Sequence, residues 1–242
     1  MNNQALAFYL DAPMQAWGAS SRFQRRGTES FPTKSGIIGL IAAAMGIDKQ
    51  SPQEEEQLRP LAALIFSVFK VQGAKPLNVQ RLEDFHTVGG GWHDDWQADK
   101  SNTRAKMSTP SKAGDGSPFG TVITRRTYLT DARFIAVLEG EADTLAHCAA
   151  ALANPVWGVW FGRKCCLPAS PLNPVIAPSR NQAISALLEK LGPLQTLITS
   201  EGQEQKSGGG SWFQADHPVS FGKREFQSRP VTRTASTNSE NS

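Results

Sequence analysis

The residues best placed for chemistry in this chain are cations, not catalytic acids or nucleophiles. Arg22, Arg25 and Arg26 share one loop with Trp17 and Phe23, and the loop closes at Pro32-Thr33-Lys34-Ser35-Gly36. Thr33 is placed to cap a helix, with Lys34 in its first turn. Free backbone N–H groups at a helix start, beside guanidinium groups, suit a phosphate. A solvated basic loop with an ordinary cap fits the same spacing. Three further clusters repeat the pattern: Arg125/Arg126 near Tyr128, Arg163/Lys164 after Phe161-Gly162, and Lys223/Arg224/Arg229/Arg233 around Phe221-Gly222 and Phe226. Each alone suits a solvated face. Four together, all beside aromatics or glycines, have the composition of single-stranded RNA binding, where cations meet phosphates and bases stack.

Catalytic constellations are poor by contrast. The histidines are His86, His93, His147 and His217. His86 is the credible general base, able in principle to activate a 2′-hydroxyl beside bound RNA, but local sequence fixes no partner for it. His93-Asp94-Asp95 lacks a second histidine at helical spacing and reads as a solvated loop, and His147 reads as a packing residue on a helix. Asp11, Glu83 and Asp84 read as hydrophilic strand ends. Gly36-Ile37-Ile38-Gly39 is too sparse and apolar for a dinucleotide loop, and no Walker A pattern occurs. Cys148, Cys165 and Cys166 form neither a disulfide framework nor a zinc-ligand ladder. No metal or cofactor is therefore expected.

With 242 residues, 39% of them hydrophobic, the chain can bury a substantial core, and its formal net charge of +3 makes any basic character local. Glu54, Glu55 and Glu56 concentrate negative charge in one short helical stretch. The first residues lack the basic and apolar regions of a signal peptide, and residues 37–47 are too short to span a bilayer. The expectation is a soluble cytoplasmic protein without a membrane partner.

The elements that must hold these residues follow from periodicity. Residues 5–10 alternate as a buried strand; residues 34–45 read as a helix with Gly46 just past its end. Gly36, Gly39, Ala42 and Ala43 would let that helix pack close to a sheet. After the acidic helix, 61–71 reads as a strand and 77–88 as extended. Residues 89–120 are polar, glycine-rich and almost free of aliphatics, and 121–129 returns as a strand, so the excursion reads as a long hairpin arm over about 86–125. A strand at 134–138, helices at 142–152 and 182–191, and an extended region at 211–226 follow. The order fits an α+β, ferredoxin-like sheet of the RAMP or RRM kind in a single domain over 1–231, with a disordered tail at 232–242.

Several segments carry a family resemblance. Pro13-Met14-Gln15-Ala16-Trp17-Gly18, then Phe31-Pro32-Thr33-Lys34-Ser35-Gly36 with Gly39-Leu40, resembles the N-terminal signature of the CasD (Cas-five) family of type I-E Cascade, the CRISPR RNA-guided surveillance complex. Residues 84–88 and 124–132 resemble the segments flanking that family's thumb. Gly162-Arg163-Lys164-Cys165-Cys166-Leu167-Pro168 resembles one of its turns, and 221–229 with Val231 its closing pattern.

The resemblance implies a ferredoxin-like fold with a protruding β-hairpin thumb and a non-catalytic role, gripping the 5′ handle of the CRISPR guide RNA. It implies contacts with the backbone subunit CasC and the large subunit CasA, with target DNA met only through the assembled complex. The candidate RNA-binding residues are Gln15, Trp17, Arg22, Arg25, Arg26, Lys34, His86, Arg125, Arg126, Arg163, Lys164, Arg224 and Arg229. Two alternatives stand beside this reading. One is a metal-independent endoribonuclease that processes CRISPR repeat RNA, as in type I-C relatives, with His86 and Tyr128 acting together. The other is an RNA-binding module unrelated to defence.

Overall fold

Leu6, Phe8 and Leu10 alternate with Ala5, Ala7 and Tyr9 along strand β1 (Asn3–Asp11), and both sets are buried, so this strand lies between two apolar layers. The computed structural model describes residues 3–18, 21–22, 25–72, 80–88, 122–192, 196–204 and 212–234. Helix α1 (Lys34–Met45) begins where the sequence places it. The Thr33 hydroxyl accepts from the Gly36 N–H, and Gly46 takes φ 74°, the left-handed conformation that glycine tolerates. Its Ile37, Ile38 and Ile41 face the core. Gly36, Gly39 and Ala43, expected against a sheet, instead lie on its half-exposed face, and only Ala42 is buried.

Helix α2 (Glu54–Ala63) runs three residues into the segment read as strand, because Leu58 and Leu61 share its buried face. Strand β5 therefore begins at Ile65 and ends at Gln72. Strand β8 (Arg133–Glu141), helix α3 (Ala142–Ala153) and the short strand β9 (Val175–Ala177) complete a βαββαβ unit with β1, α1 and β5. The spatial order β9-β1-β8-β5, with antiparallel neighbours throughout, is that of a split βαβ fold. Helices α1, α2 and α3 cover the Leu6/Phe8/Leu10 face; helix α4 (Arg180–Leu191) covers the other through Ala183, Ile184 and Leu187.

Three more strands extend this sheet from the β5 edge: β10 (Thr196–Glu204), β11 (Trp212–Ser220) and β12 (Glu225–Thr234). The sequence shows no apolar alternation for β10, and the extended stretch read as one region is a hairpin turning at Phe221–Arg224. The domain boundary also moves, since Thr232 pairs with Gln203 and Thr234 with Ser200.

A second sheet collects β2 (Met14–Gln15), β3 (Ser21–Arg22), β4 (Arg25–Arg26), β6 (Gln80–Val88) and β7 (Val122–Thr130). Strands β6 and β7 pair from Gln80↔Thr130 to Val88↔Val122, which makes the two roots of the expected arm an antiparallel ribbon. The arm beyond them, including His93-Asp94-Asp95, lies outside the described residues, as do residues 235–242.

Candidate nucleic-acid interface

Register on the second sheet decides where the arginines stand. Strand β4 runs parallel to β7 with Arg25 opposite Arg125 and Arg26 opposite Arg126, and β3 adds Arg22 beside Arg25. On the far side of β7, Phe85 is opposite Arg125 and Asp84 opposite Arg126. Arg22, Arg25, Arg125 and Phe85 thus form one line across four strands, with neighbouring strands about 4.8 Å apart. The Arg125 guanidinium lies 4.8 Å from the centre of the Phe85 ring and 3.6 Å from the Glu83 carboxylate. Arg25 and Arg26 are exposed, and Arg126 has a buried Nε without a hydrogen-bond partner among the described residues. Like charges directly opposite one another destabilise a sheet. Such a line is favourable when an anion lies over it.

Arg163 holds this arrangement from below. It donates to the Thr127 carbonyl (3.0 Å) and to the carbonyls of Arg26 (2.6 Å) and Gly27 (3.3 Å), and its guanidinium stacks 4.5 Å over the Tyr128 ring. It therefore ties the β4 backbone to β7. The preceding Gly162 takes φ 90°, and a Cβ there would sit 1.6 Å from the Ala16 carbonyl oxygen, so only glycine fits. Lys164 is exposed, its ammonium 5.8 Å from the Trp160 ring. Burial pushes the Cys166 thiol up to about 12 and the Cys148 thiol up to about 11, so neither is an active nucleophile at neutral pH.

Four of the candidates are internal. Gln15 is fully buried; its amide donates to the Ala132 carbonyl (2.7 Å) and its oxygen accepts from the Trp17 indole (2.9 Å). Trp17 is buried as well and stacks on Phe161. Lys34 is not a phosphate ligand at an open helix start. Its ammonium meets both Glu204 carboxylate oxygens at 2.9 and 2.8 Å, and its backbone N–H donates to Asp216. Arg229 makes two hydrogen bonds to the same Asp216, at 2.6 and 3.0 Å. Burial lowers the Lys34 pKa and the Glu204 charge opposes that shift. These four ions are a sealed network that binds α1 to the C-terminal strands.

The remaining candidates lie at the surface or outside the described side chains. Arg224 is exposed at the β11–β12 turn with φ 57°, and Arg22 is placed by its backbone register alone. His86 pairs with the Asp84 carboxylate two residues before it on the same strand face. That partner, which sequence reasoning overlooked, follows from the two-residue period of a strand. Tyr128 is buried and accepts from the Cys165 thiol at 3.6 Å. His86 is opposite Thr124, four ladder positions from Tyr128, or about 13 Å along the ribbon. His147, read as packing, is exposed and hydrogen-bonds the Asp143 carbonyl from the preceding turn. Glu54 belongs to no acidic surface; it is buried and accepts from Ser220 and from the Phe221 and Gly222 backbones, fixing the β11–β12 turn. Among the described residues no three His, Cys, Asp or Glu side chains gather as a metal site, and no helix is long and apolar enough to cross a membrane.

The family whose sequence pattern matches residues 5–232 is described as "CRISPR-associated protein (Cas_Cas5)". The chain belongs to the Cas5 family. Within curated proteins it is similar to the CRISPR system Cascade subunit CasD of Escherichia coli (strain K12), 28% identical over 171 residues that cover 69% of this chain and 68% of that one. Among solved structures it resembles a chain described as "CRISPR RNA-guided surveillance complex", with TM-score 0.66 and 26% identity over 96% of this chain and 90% of the other. A second, described as "Crystal structure of Cas protein", gives TM-score 0.60 and 26% identity over 96% and 94%. Membership of the Cas5 family agrees with the motifs at 13–18, 31–40, 162–168 and 221–231. The structure shows that these segments hold the fold at its most intimate contacts: the Gln15–Trp17 pair, the Lys34 network, the Gly162 approach and the Glu54 turn.

Proposed function

We propose that this Cas5-family chain is a non-catalytic RNA-binding subunit of a type I-E CRISPR Cascade antiviral surveillance complex. It grips the 5′ handle of the guide RNA and joins the backbone subunit CasC to the large subunit CasA, working in the cytoplasm and meeting target DNA only through the assembled complex. The observation that carries this reading is the line of arginines in register across β3, β4 and β7, with Phe85 at its end. A single-stranded phosphate backbone supplies the anion such a line needs, and an exposed ring offers a base its stacking face. The β6–β7 ribbon would then be the root of the thumb, with Phe85 and Ile123, both at least half exposed, on one face.

The endoribonuclease alternative needs His86 and Tyr128 at one scissile phosphate. Their separation along the ribbon and the burial of Tyr128 speak against that pairing. Incubating the purified protein with its repeat RNA tests the proposal. Binding without any cut product is expected, and His86→Ala should leave RNA length unchanged. A defined cut by the wild-type protein, lost in His86→Ala, would install the nuclease reading instead. Replacing residues 91–119 with a short glycine-serine turn should leave the main sheet folded and lower assembly with co-expressed partner subunits, as read by native mass spectrometry.

A further inference from the structure

Two of the three thiols are chain neighbours on the turn that carries Arg163. Cys148 on α3 and Cys166 are buried, and Cys165 is exposed. The turn is tightly held. The Cys166 N–H donates to the Arg163 carbonyl and the Phe161 N–H to the Cys166 carbonyl, both at 2.8 Å. On its other side Gly162 rests against the Ala16 carbonyl, where no Cβ fits. The Cys165 thiol donates to the Tyr128 hydroxyl, and the Tyr128 ring lies under the Arg163 guanidinium. One small cluster thus joins the exposed thiol to the side chain that ties β4 to β7. Burial, then the charge of Cys165 and a hydrogen bond with it, push the Cys166 thiol up, which marks the two sulfurs as close neighbours; Arg163 pulls it back down.

We propose that Cys165 and Cys166 are an oxidation site: a small-molecule disulfide converts them to a disulfide with each other, and closing that ring releases Arg163 from β4. The site goes beyond RNA binding and does not rest on it. Cys165 is the exposed thiol, and its neighbours Arg163 and Lys164 are cations that attract an oxidant bearing carboxylates. Its thiolate attacks one sulfur of the oxidant, the oxidant's S–S bond breaks, and one thiol leaves. Capping removes the Cys165 charge that helped hold the Cys166 proton. Cys166 then loses that proton to solvent and attacks the Cys165 sulfur, expelling the second thiol. In balance, two cysteine thiols become one disulfide and one small-molecule disulfide becomes two thiols. A well-oriented neighbour reacts at an effective concentration of roughly 10⁵ M or more, which offsets the scarcity of Cys166 thiolate. Adjacent Cα atoms lie about 3.8 Å apart across a trans peptide, whereas disulfides prefer roughly 4.4–6.8 Å. The backbone at 165–166 must therefore give. Gly162 cannot move towards Ala16, so the displacement falls on Arg163 and its three carbonyl contacts. A disulfide closed under such strain is readily reduced again, which makes the change reversible.

The test uses the full chain without RNA, so its failure leaves the proposed function standing. The reduced protein is incubated with oxidised glutathione and followed by intact mass, peptide mapping and amide hydrogen exchange. The mass is expected to fall by two hydrogens, with the new bond mapped to the peptide that holds both cysteines. Peptides covering β4 should lose protection at the same time, and dithiothreitol should restore both thiols and protection. Cys165→Ser changes an exposed side chain and keeps a donor for the Tyr128 oxygen, so it folds as the wild type does. It should resist oxidation and keep its β4 protection. Arg163→Ala should show the loosened β4 in the reduced protein, with no oxidant present. Three results would each overturn the proposal: thiols that stay free in the folded chain, a mixed disulfide that remains on Cys165, or a closed disulfide with β4 still protected. Loss of β4 protection in oxidant-treated Cys165→Ser would do the same, since the change would then come from elsewhere.

Discussion

Lys34 and Arg229 are cations with carboxylates built around them; Arg25, Arg26, Arg125 and Arg126 are cations ranged beside one another. The first pair is sealed in the core by Glu204 and Asp216, each charge held by at least two hydrogen bonds. The second group stands on a sheet in like-charged register, where among the described residues Glu83 and Asp84 are the carboxylates on the neighbouring strand. Composition treats these residues alike. The difference lies in what each guanidinium or ammonium meets: the buried pair has carboxylates of its own chain, with only the Arg229 Nη1 left without a partner among the described residues, and the exposed line has like charges as its strand neighbours.

The largest expected effect would come from breaking the sealed side of this contrast. Asp216→Ala leaves Arg229 buried without its counter-ion and strips the Lys34 N–H of its acceptor. It should cost about 3–5 kcal/mol in a denaturant titration, the usual penalty for breaking a buried pair. A loss under 1 kcal/mol would mean that water reaches the network. On the open side, Arg25→Ala with Arg26→Ala should change stability by no more than about 0.5 kcal/mol. The same double variant should lower the salt slope of RNA binding by up to about 1.4, at roughly 0.7 per single-strand phosphate contact. If slope and affinity both hold, the exposed line faces nothing but solvent.

The smallest effect sharpens the border between the two. Burial, with the Lys34 charge next, holds the His217 imidazole below its ordinary value of 6.5. As pH falls through about 6.5, the unfolded chain takes up a proton that the folded chain refuses, so stability declines towards acid. His217→Gln should flatten that decline by less than one proton, seen in melting temperatures from pH 7.5 to 5. An unchanged slope would place the imidazole in open water.

Much of the framework was legible in the sequence. Thr33 and Gly46 mark α1 to the residue, because caps are local chemistry. The ribbon roots at 80–88 and 122–130 announce themselves through β-branched and aromatic residues bracketing a polar excursion. The internal roles of Gln15, Trp17, Lys34 and Arg229 were not legible. Polar and aromatic side chains near a glycine-rich loop look the same from sequence whether they bind a ligand or close a core. For Gln15 and Lys34 what separates them is a partner more than a hundred residues away, Ala132 for the Gln15 amide and Asp216 for the Lys34 backbone; for Arg229 it is the same Asp216, 13 residues back across a hairpin. Strand β10 was missed for a related reason: its Gln203 and Glu204 serve a pairing and an ion network, not an apolar face.

The Lys34–Glu204 contact spans 170 residues of chain, and that separation sets a clock on synthesis. At roughly 5–20 residues per second, the α1 ammonium waits on the order of ten to thirty seconds after it emerges before its counter-ion exists. Once β9 is made, late in that interval, the βαββαβ unit has all its strands but an unanswered charge at the foot of its first helix. Until β10 arrives the Lys34 ammonium stays hydrated, and the foot of α1 closes only with the carboxy-terminal strands. Final closure is a late, long-range event, and the half-made chain lacks the neutralised interior that marks it as finished.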